Sequence, residues 1–574
     1  MNAERLLRDY ERISDAPDAI VRLRRFILDL AVRGKLVPQD PNDEPASELL
    51  KLIAKERAER IGRGEIRPGK LSAGPVDFSF ELPSGWVWLR LGETGNIFSG
   101  NSINEPTREQ LARTQEGRPF IATKDVGYGL DRIDYENGLL VEFSDKRFKV
   151  ARTNSVLICA EGGSAGKKIG LADREICFGN KLLANETWSV VASKFVLYAY
   201  MSEFFYEQFS GKMKGVIGGI SIANFLELPF CLPPHAEQHR IVAKVDELMG
   251  LCDRLEAARA GREAVRDRLA AASLARLNAP DPETFQTDAR FALDTLPALT
   301  TRPDQIKALR QTILNLAVRG KLVPQDPNDE PAAELLKRIA KEKARLIKEG
   351  KAKRQDALPE IDLNQAPFEL PVGWTWGRFP EVGTFGRGKS KHRPRNDPAL
   401  FDGGEHLMIQ TGDVARSQGV IETYTSKYND FGLSQSFKWP KGTLCITIAA
   451  NIADSGILGF DACFPDSVVG FVPESIFKNA RYFEYFVRTA KANLLEFAPA
   501  TAQKNNNLEI LTQVLIPLPP LAEQHRIVAK VDALMALCDR LEASLNATTA
   551  TRRRLLDALL AEALAPETMV EEAA

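Results

Sequence analysis

At 574 residues the chain is too long for one hydrophobic core, and typical domain sizes point to several units or a duplicated pair. Its 44% hydrophobic and 27% charged residues are those of a soluble globular protein, with no apolar run near the ~20 residues a membrane-spanning helix needs. A net charge of -1 excludes a uniformly basic nucleic-acid binder and leaves only local basic clusters for such contacts.

In chain order, residues 1–78 read as a charged helical segment. Met1–Tyr10 has no apolar core or small-residue cleavage site, so no export signal is expected and a cytoplasmic location is. A first variable domain, 79–234, is entered at Leu82-Pro-Ser-Gly-Trp-Val-Trp88, and a long helix over 235–278 follows Pro233-Pro234. The Pro-broken stretch 279–303 reads as a linker. Residues 304–364 form a second helical segment, with helices over Gln305–Val318 and Pro331–Lys348. A second variable domain, 365–520, is entered at Leu370-Pro-Val-Gly-Trp-Thr-Trp376, and a second long helix occupies 521–574. Within the variable domains, Ser155–Ala160 and Thr443–Ala449 read as strands, and Lys194–Phe209 and Arg481–Phe497 as helices, which makes both mixed α/β.

The order repeats because the sequence repeats. Leu30–Ala46 recurs unchanged at Leu316–Ala332, and Leu232–Ala257 recurs at Leu518–Ala543 with three mismatches, both at an offset of 286. Two long repeats are a duplicated module with pseudo-twofold symmetry, not a solenoid. The stretches between them, Arg90–Phe230 and Arg378–Ile516, share little identity. In the long helices Ile241, Val245, Leu248, Cys252 and Leu255, and their copies Ile527, Val531, Leu534, Cys538 and Leu541, alternate spacings of four and three. This spacing predicts two coiled-coil seams packed antiparallel. At ~1.5 Å per residue, helices of about 40 residues make a strut of roughly 60 Å.

The repeated Leu-Pro-Pro-x-Ala-Glu-Gln-x-x-Ile-Val, with Gly34-Lys35-Leu36, Gly320-Lys321-Leu322 and the two Gly-Trp-x-Trp entries, resembles the specificity subunits of type I restriction-modification enzymes over nearly the whole chain. The resemblance implies two mixed α/β target-recognition domains, each reading half of a bipartite DNA site about one helical turn from the other, joined by long antiparallel coiled-coil helices. It implies as partners double-stranded DNA, two methyltransferase subunits and restriction/translocase subunits. It also implies that this chain binds no cofactor, with S-adenosylmethionine, ATP and Mg used by the partners. The order departs from the family's in that a Gly-Lys-Leu helical segment precedes the first recognition domain and no equivalent follows the C-terminal helix, from which a circular arrangement is expected, with Ala19–Ile61 beside the end of the C-terminal helix as Ile306–Ile347 is beside the central one.

Candidate DNA contacts begin with the basic loop Arg387, Lys389, Lys391, Arg393 and Arg395, with His392 among them; its alternative is a solvated loop. The counterpart in the first domain is Asn101-Ser102, which leaves Lys124, Lys167, Lys168, Lys212 and Lys214 as candidates there. Gln410, Gln503, Lys504 and Asn505 are amide or basic groups able to reach base edges, although Asn-rich turns also satisfy their own backbone. Glu237, Gln238 and Arg240, with Glu523, Gln524 and Arg526, are candidate partner contacts because two copies of one partner need two equal platforms; dipole complementarity is the alternative.

Enzyme motifs fail on context. Gly383–Ser390 spells a phosphate loop, yet Lys391–Pro398 cannot open the helix such a loop requires. No Asp/Asn-Pro-Pro-Tyr/Phe motif of adenine methyltransferases occurs. Seven scattered cysteines without a CxxC pair, and five histidines, offer no metal spacing. The rival readings are a protein-binding scaffold or a stand-alone nuclease or NTPase.

Overall fold

A computed structural model describes residues 16, 18–67, 80–214, 218–279, 281, 283–350, 358–448, 453–491 and 507–564. The chain divides into two compact units, one of residues 1–262 with 549–574, the other of residues 263–548. The two cuts are 286 positions apart, the offset of the repeat, and both fall inside a long helix. Nine helices frame the argument: α1 (Ala19–Val32), α2 (Ala46–Gly62), α3 (Ser193–Met201), α4 (His235–Asn278), α5 (Phe285–Leu299), α6 (Pro303–Val318), α7 (Ala332–Lys348), α8 (Arg481–Ala490) and α9 (Leu521–Leu564). The stretch read as a linker contains α5, which carries Pro297 in its last turn.

In the first unit, Gly95–Ser99, Leu182–Thr187, Val156–Cys159 and Ile169–Leu171 form one four-stranded sheet, and Leu140–Val141, Arg118–Ile121, Ile176–Phe178 and Val150–Ala151 another. The second unit repeats this plan with five strands (Gly383–Arg387, Val468–Pro473, Leu444–Thr447, Ser455–Leu458, Val420–Ile421) and four (Ser426–Tyr428, His406–Met408, Ala462–Cys463, Lys438–Trp439). Each variable domain starts and ends on one two-stranded ribbon. Val87–Arg90 runs antiparallel to Pro229–Leu232, and Thr375–Gly377 to Ile516–Leu518. The ribbon delivers the chain straight into the Pro-Pro pair that opens the long helix, where missing N–H groups cost nothing.

The repeated blocks meet at a buried carboxylate. Glu237, 1% exposed, accepts from the Trp86 indole N–H (3.0 Å) and the Gln39 amide (3.1 Å), and Gln39 also donates to the Gly34 carbonyl (2.7 Å). The second unit reproduces it with Glu523, Trp374 (3.0 Å), Gln325 (3.0 Å) and Gly320 (2.7 Å). Burial pushes both carboxyls above their ordinary range, while the Gln and Trp donors pull them back. Gly34 and Gly320 sit at φ +67° and +66°, and a Cβ there would fall 2.4 Å from Pro83 Cγ and 2.5 Å from Pro371 Cγ. Only glycine fits both the dihedral and the space.

The seams begin inside these cores. Ile241, Val245 and Cys252 are buried with Met249 in the first unit, and Ile527, Val531 and Cys538 in the second, with Leu541 and Leu545 at its margin. A tyrosine and a cation tie each long helix to its domain. Asp246 accepts from Tyr198 and pairs with Lys194 (2.7 Å), and Asp532 accepts from Tyr485 and pairs with Arg481 (2.7 Å).

The circular arrangement is visible within each unit. Asp18 pairs with Arg553 (2.9 Å), Arg22 with Asp557, and Leu30 lies in an apolar cluster with Leu560, so α1 runs parallel to the end of α9. Arg24 meets Asp253 (2.6 Å) and Glu256 (2.8 Å), and the Ala16 carbonyl accepts from Arg259 (2.8 Å), so α1 is antiparallel to α4. Beside α1, therefore, the two long helices run in opposite directions. In the second unit α6 plays the same part: Arg302 pairs with Glu263 (2.9 Å) and Asp267 (2.6 Å), Asn315 donates to Asn278 (2.9 Å), and Arg310 pairs with Asp539 and Glu542.

Glu484 is a buried acid without a counterpart in the first unit. Matching Tyr198 to Tyr485 aligns Glu484 with Leu197; both are buried, and neither Glu484 oxygen has a hydrogen-bond partner. Arg488 Nε stands 3.5 Å away. Burial pushes the Glu484 carboxyl from 4.5 up to about 7 against the pull of Arg488 and Arg481, with Asp532 adding to the rise.

Gly34→Ala and Gly320→Ala are each expected to lower stability by about 1–3 kcal/mol in denaturant unfolding, and equal wild-type midpoints would remove the steric argument. For Glu484 the folded carboxyl binds its proton more tightly than the unfolded one, so stability declines as pH rises from about 4.5 to about 7 and levels off above. Glu484→Gln is expected to flatten that slope in unfolding measured across the range; a slope as steep as wild type contradicts the assignment.

Candidate nucleic-acid interface

The edge of each variable domain is shaped by a glycine that lets two strands nearly touch. A Cβ on Gly100 would lie 2.0 Å from the Phe178 carbonyl oxygen, and one on Gly388 would lie 2.4 Å from Phe464. The next N–H groups, of Asn101 and Lys389, then donate to the Phe178 carbonyl (2.8 Å) and the Phe464 carbonyl (3.1 Å). Asn101 and Lys389 are therefore equivalent positions, as the sequence suggests. A second register mark is Asp125, which accepts from the Ala122 N–H (2.8 Å) as Asp413 does from Gln410 (2.9 Å). Gln410 therefore occupies the place of Ala122. A third is the offset of 286, which pairs Asn180 with Asp466.

In the first domain these positions line two adjoining clefts. One, about 310 Å³, is walled by Asn101, Ser102, Arg108, Ala122, Lys124, Asn180 and Lys181. The other, about 510 Å³, is walled by Ser99, Glu161, Asn180, Lys214, Gly219 and Ser221. Lys124 and Lys214 thus line adjoining clefts that share Asn180. Lys168 braces this edge, donating to the Thr123 (3.0 Å) and Lys124 (3.2 Å) carbonyls and standing over the exposed Tyr128 ring at 5.4 Å. Lys167 and Lys212 stand at the helix Glu203–Gly211 instead, Lys167 over the Tyr206 ring (5.9 Å) and Lys212 as its C-cap.

In the second domain Arg387 ends the strand Gly383–Arg387, paired opposite Val469 and exposed. The apparent phosphate loop is thus a strand running into an extended turn, with no helix at its end. Exposed Lys389 and Lys391 follow. Arg393 donates to the Ser390 (2.6 Å) and His392 (2.8 Å) carbonyls, Arg395 pairs with Asp466 (2.6 Å), and His392 with Asp397 (2.7 Å). Gln410 is exposed at the head of a short helix, Thr411–Arg416, and the next strand-side amide, Ile409, donates to Cys463 (3.0 Å) beside the Asp466 loop. Arg, Lys and amide groups thus share one edge, the donor set that phosphates and purine edges accept from. Gln503, Lys504 and Asn505 lie outside the described residues.

The partner assignment of Glu237, Gln238, Glu523 and Gln524 is corrected. Glu237 and Glu523 are taken up by the Trp and Gln donors already described. Gln238, fully buried, accepts from the Ala192 N–H (2.7 Å) and donates to the Val190 (3.2 Å) and Pro233 (3.1 Å) carbonyls; Gln524 is likewise buried. Arg240 and Arg526 pair with Asp43 (2.5 Å) and Asp329 (2.7 Å) of the repeated blocks. The buried Glu237, Gln238, Glu523 and Gln524 offer no surface to another molecule, whereas Arg240 and Arg526 keep about a third of their side chains exposed.

Residues missed from sequence are Arg108, Glu161, Asn180 and Lys181 in the first domain and Asp466 in the second. A signal existed: Cys177-Phe178-Gly179-Asn180 and Cys463-Phe464-Pro465-Asp466 echo each other at the offset of 286. Among the described residues there is no cluster able to hold a metal ion, and no helix long and apolar enough to cross a membrane.

Residues 371–548 match the family described as the type I restriction modification DNA specificity domain. The chain is 32% identical to the type I restriction enzyme EcoEI specificity subunit of Escherichia coli, over 95% of this chain and 94% of that one. It is 31% identical to the EcoAI specificity subunit of the same organism, over 94% and 93%. Among solved structures it is similar to an HsdS subunit from Thermoanaerobacter tengcongensis, at 19% identity and a TM-score of 0.44, over 85% of this chain and 98% of that one.

Proposed function

We propose, from the premise that this chain belongs to the specificity subunits of type I restriction-modification enzymes, that it recognises an asymmetric two-part DNA sequence and carries the subunits that modify and cut the DNA. DNA-sequence recognition is the role of the subunit. The observation that supports a two-part, asymmetric target is the pairing of one frame with two dissimilar edges: Asn101 against Lys389, Ala122 against Gln410, Asn180 against Asp466.

On this reading Arg387, Lys389, Lys391, Arg393 and Arg395 bring the second domain to the duplex. Lysines neutralise phosphates, arginine forks address guanine, and the Gln410 amide is suited to adenine. In the first domain Lys124, Lys168 and Lys214 supply charge around two clefts, and the polar Asn101, Asn180 and Ser221 supply directed donors and acceptors. The chain contributes no chemistry of its own. Methyl transfer from S-adenosylmethionine, and ATP- and Mg-dependent translocation and cutting, belong to partner subunits, two methyltransferase copies matching two nearly identical frames.

The test is binding by the full-length chain with Arg387, Lys389 and Arg393 all replaced by Ala. Affinity for duplex DNA is expected to fall by about two orders of magnitude, and the slope of log affinity against log salt to shrink by about two to three. Gel-shift titrations at several salt concentrations measure both, and wild-type affinity and slope would take this loop out of the interface.

A further inference from the structure

Arg393 and Arg395 of the second domain's basic loop face the same acid. Asp466, in the turn between Ala462–Cys463 and Val468–Pro473, places Oδ1 2.6 Å from Arg395 Nη2 and Oδ2 4.0 Å from Arg393 Nη2. The turn itself is closed by the Val468 N–H on the Pro465 carbonyl (3.0 Å), so the carboxylate is not needed to form it. At the equivalent turn of the first domain, closed by Leu182 on Gly179 (3.1 Å), the residue is the neutral Asn180. The acid thus occurs where the arginines are dense and is absent where they are not.

Resting on the reading of this loop as DNA-facing, we infer that Asp466 is a positioning residue that sets the discrimination of the second domain by holding Arg395, and through it Arg393, away from phosphate. A guanidinium carries five N–H donors, and one pointed at Asp466 leaves the rest of the fork for a base edge. On a random duplex, where no matching edge is offered, the arginine gains contact only by going to a phosphate. That move exchanges one anion for another, and the exchange yields little. On the matching sequence the arginine keeps its carboxylate and adds the base. Asp466 therefore lowers affinity for the wrong DNA while leaving affinity for the right DNA nearly intact.

The experiment compares Asp466→Asn with wild type in the assembled complex, on a random-sequence duplex and on a duplex carrying the methylated site read from the host genome. Random-duplex affinity is expected to rise about fivefold with a salt slope steeper by about one, and matched affinity to change less than about twofold. Asp466→Glu is expected to keep wild-type discrimination, and the gain is expected to vanish when Arg393 and Arg395 are both Ala. Unchanged random-duplex affinity in Asp466→Asn, or a gain that survives loss of both arginines, overturns the inference. The Arg387/Lys389/Arg393 variant run beside it separates the two failures: unchanged binding there sinks the interface itself, whereas weakened binding with an inert Asp466→Asn sinks the role of Asp466 alone.

Discussion

Each unit depends on a carboxylate removed from water and held by an indole and an amide. A buried carboxylate without donors is strongly unfavourable, so Glu237 draws Trp86 and Gln39 into place, as Glu523 draws Trp374 and Gln325. Those three residues come from the long helix, the entry to the variable domain and the Gly-Lys-Leu turn. One small network therefore fixes the directions of three segments at once. Because it is built twice from the same residues, the two units inherit the same geometry.

On that frame the variable domain is a removable insert. It leaves and re-enters through a single ribbon, Val87–Arg90 on Pro229–Leu232, or Thr375–Gly377 on Ile516–Leu518. Backbone contacts then carry the register outward, from Gly100 against Phe178 and from Gly388 against Phe464, to an edge whose side chains are free to differ. A repeated framework and dissimilar edges follow from this division. Backbone hydrogen bonds set the register of the edge, so its side chains can differ between the two domains without changing the strands beneath.

The repeat made the two-unit division, the long helices and the mixed character of the variable domains legible, because identical blocks must fold alike and periodic apolar residues must be buried. Less legible was what buries them. The spacing of Ile241, Val245 and Cys252 reads as a seam wherever its partner lies, and at this end of the helix the partner is the domain's own core. Glu237 and Gln238 misled for a related reason, since near-identity marks any shared requirement, and here the requirement is internal hydrogen bonding. At the candidate site, the dense basic loop stood out by composition alone, whereas Asn180 and Asp466 acquire meaning only when strand register sets them opposite one another. Residues 279–303 show the limit of reading prolines as breaks, because α5 runs through Pro297.

The joints between short and long helices keep one acid and move its cation. Asp18 meets Arg553 of the long helix in one unit; in the other its equivalent at the offset of 286, Asp304, meets Arg302, which also holds Asp267, the residue at the place of Arg553. The positive charge has thus changed sides of the joint while the contact has kept its place. Such a joint asks only that charge balance across it, which leaves each half able to solve the same packing with different residues.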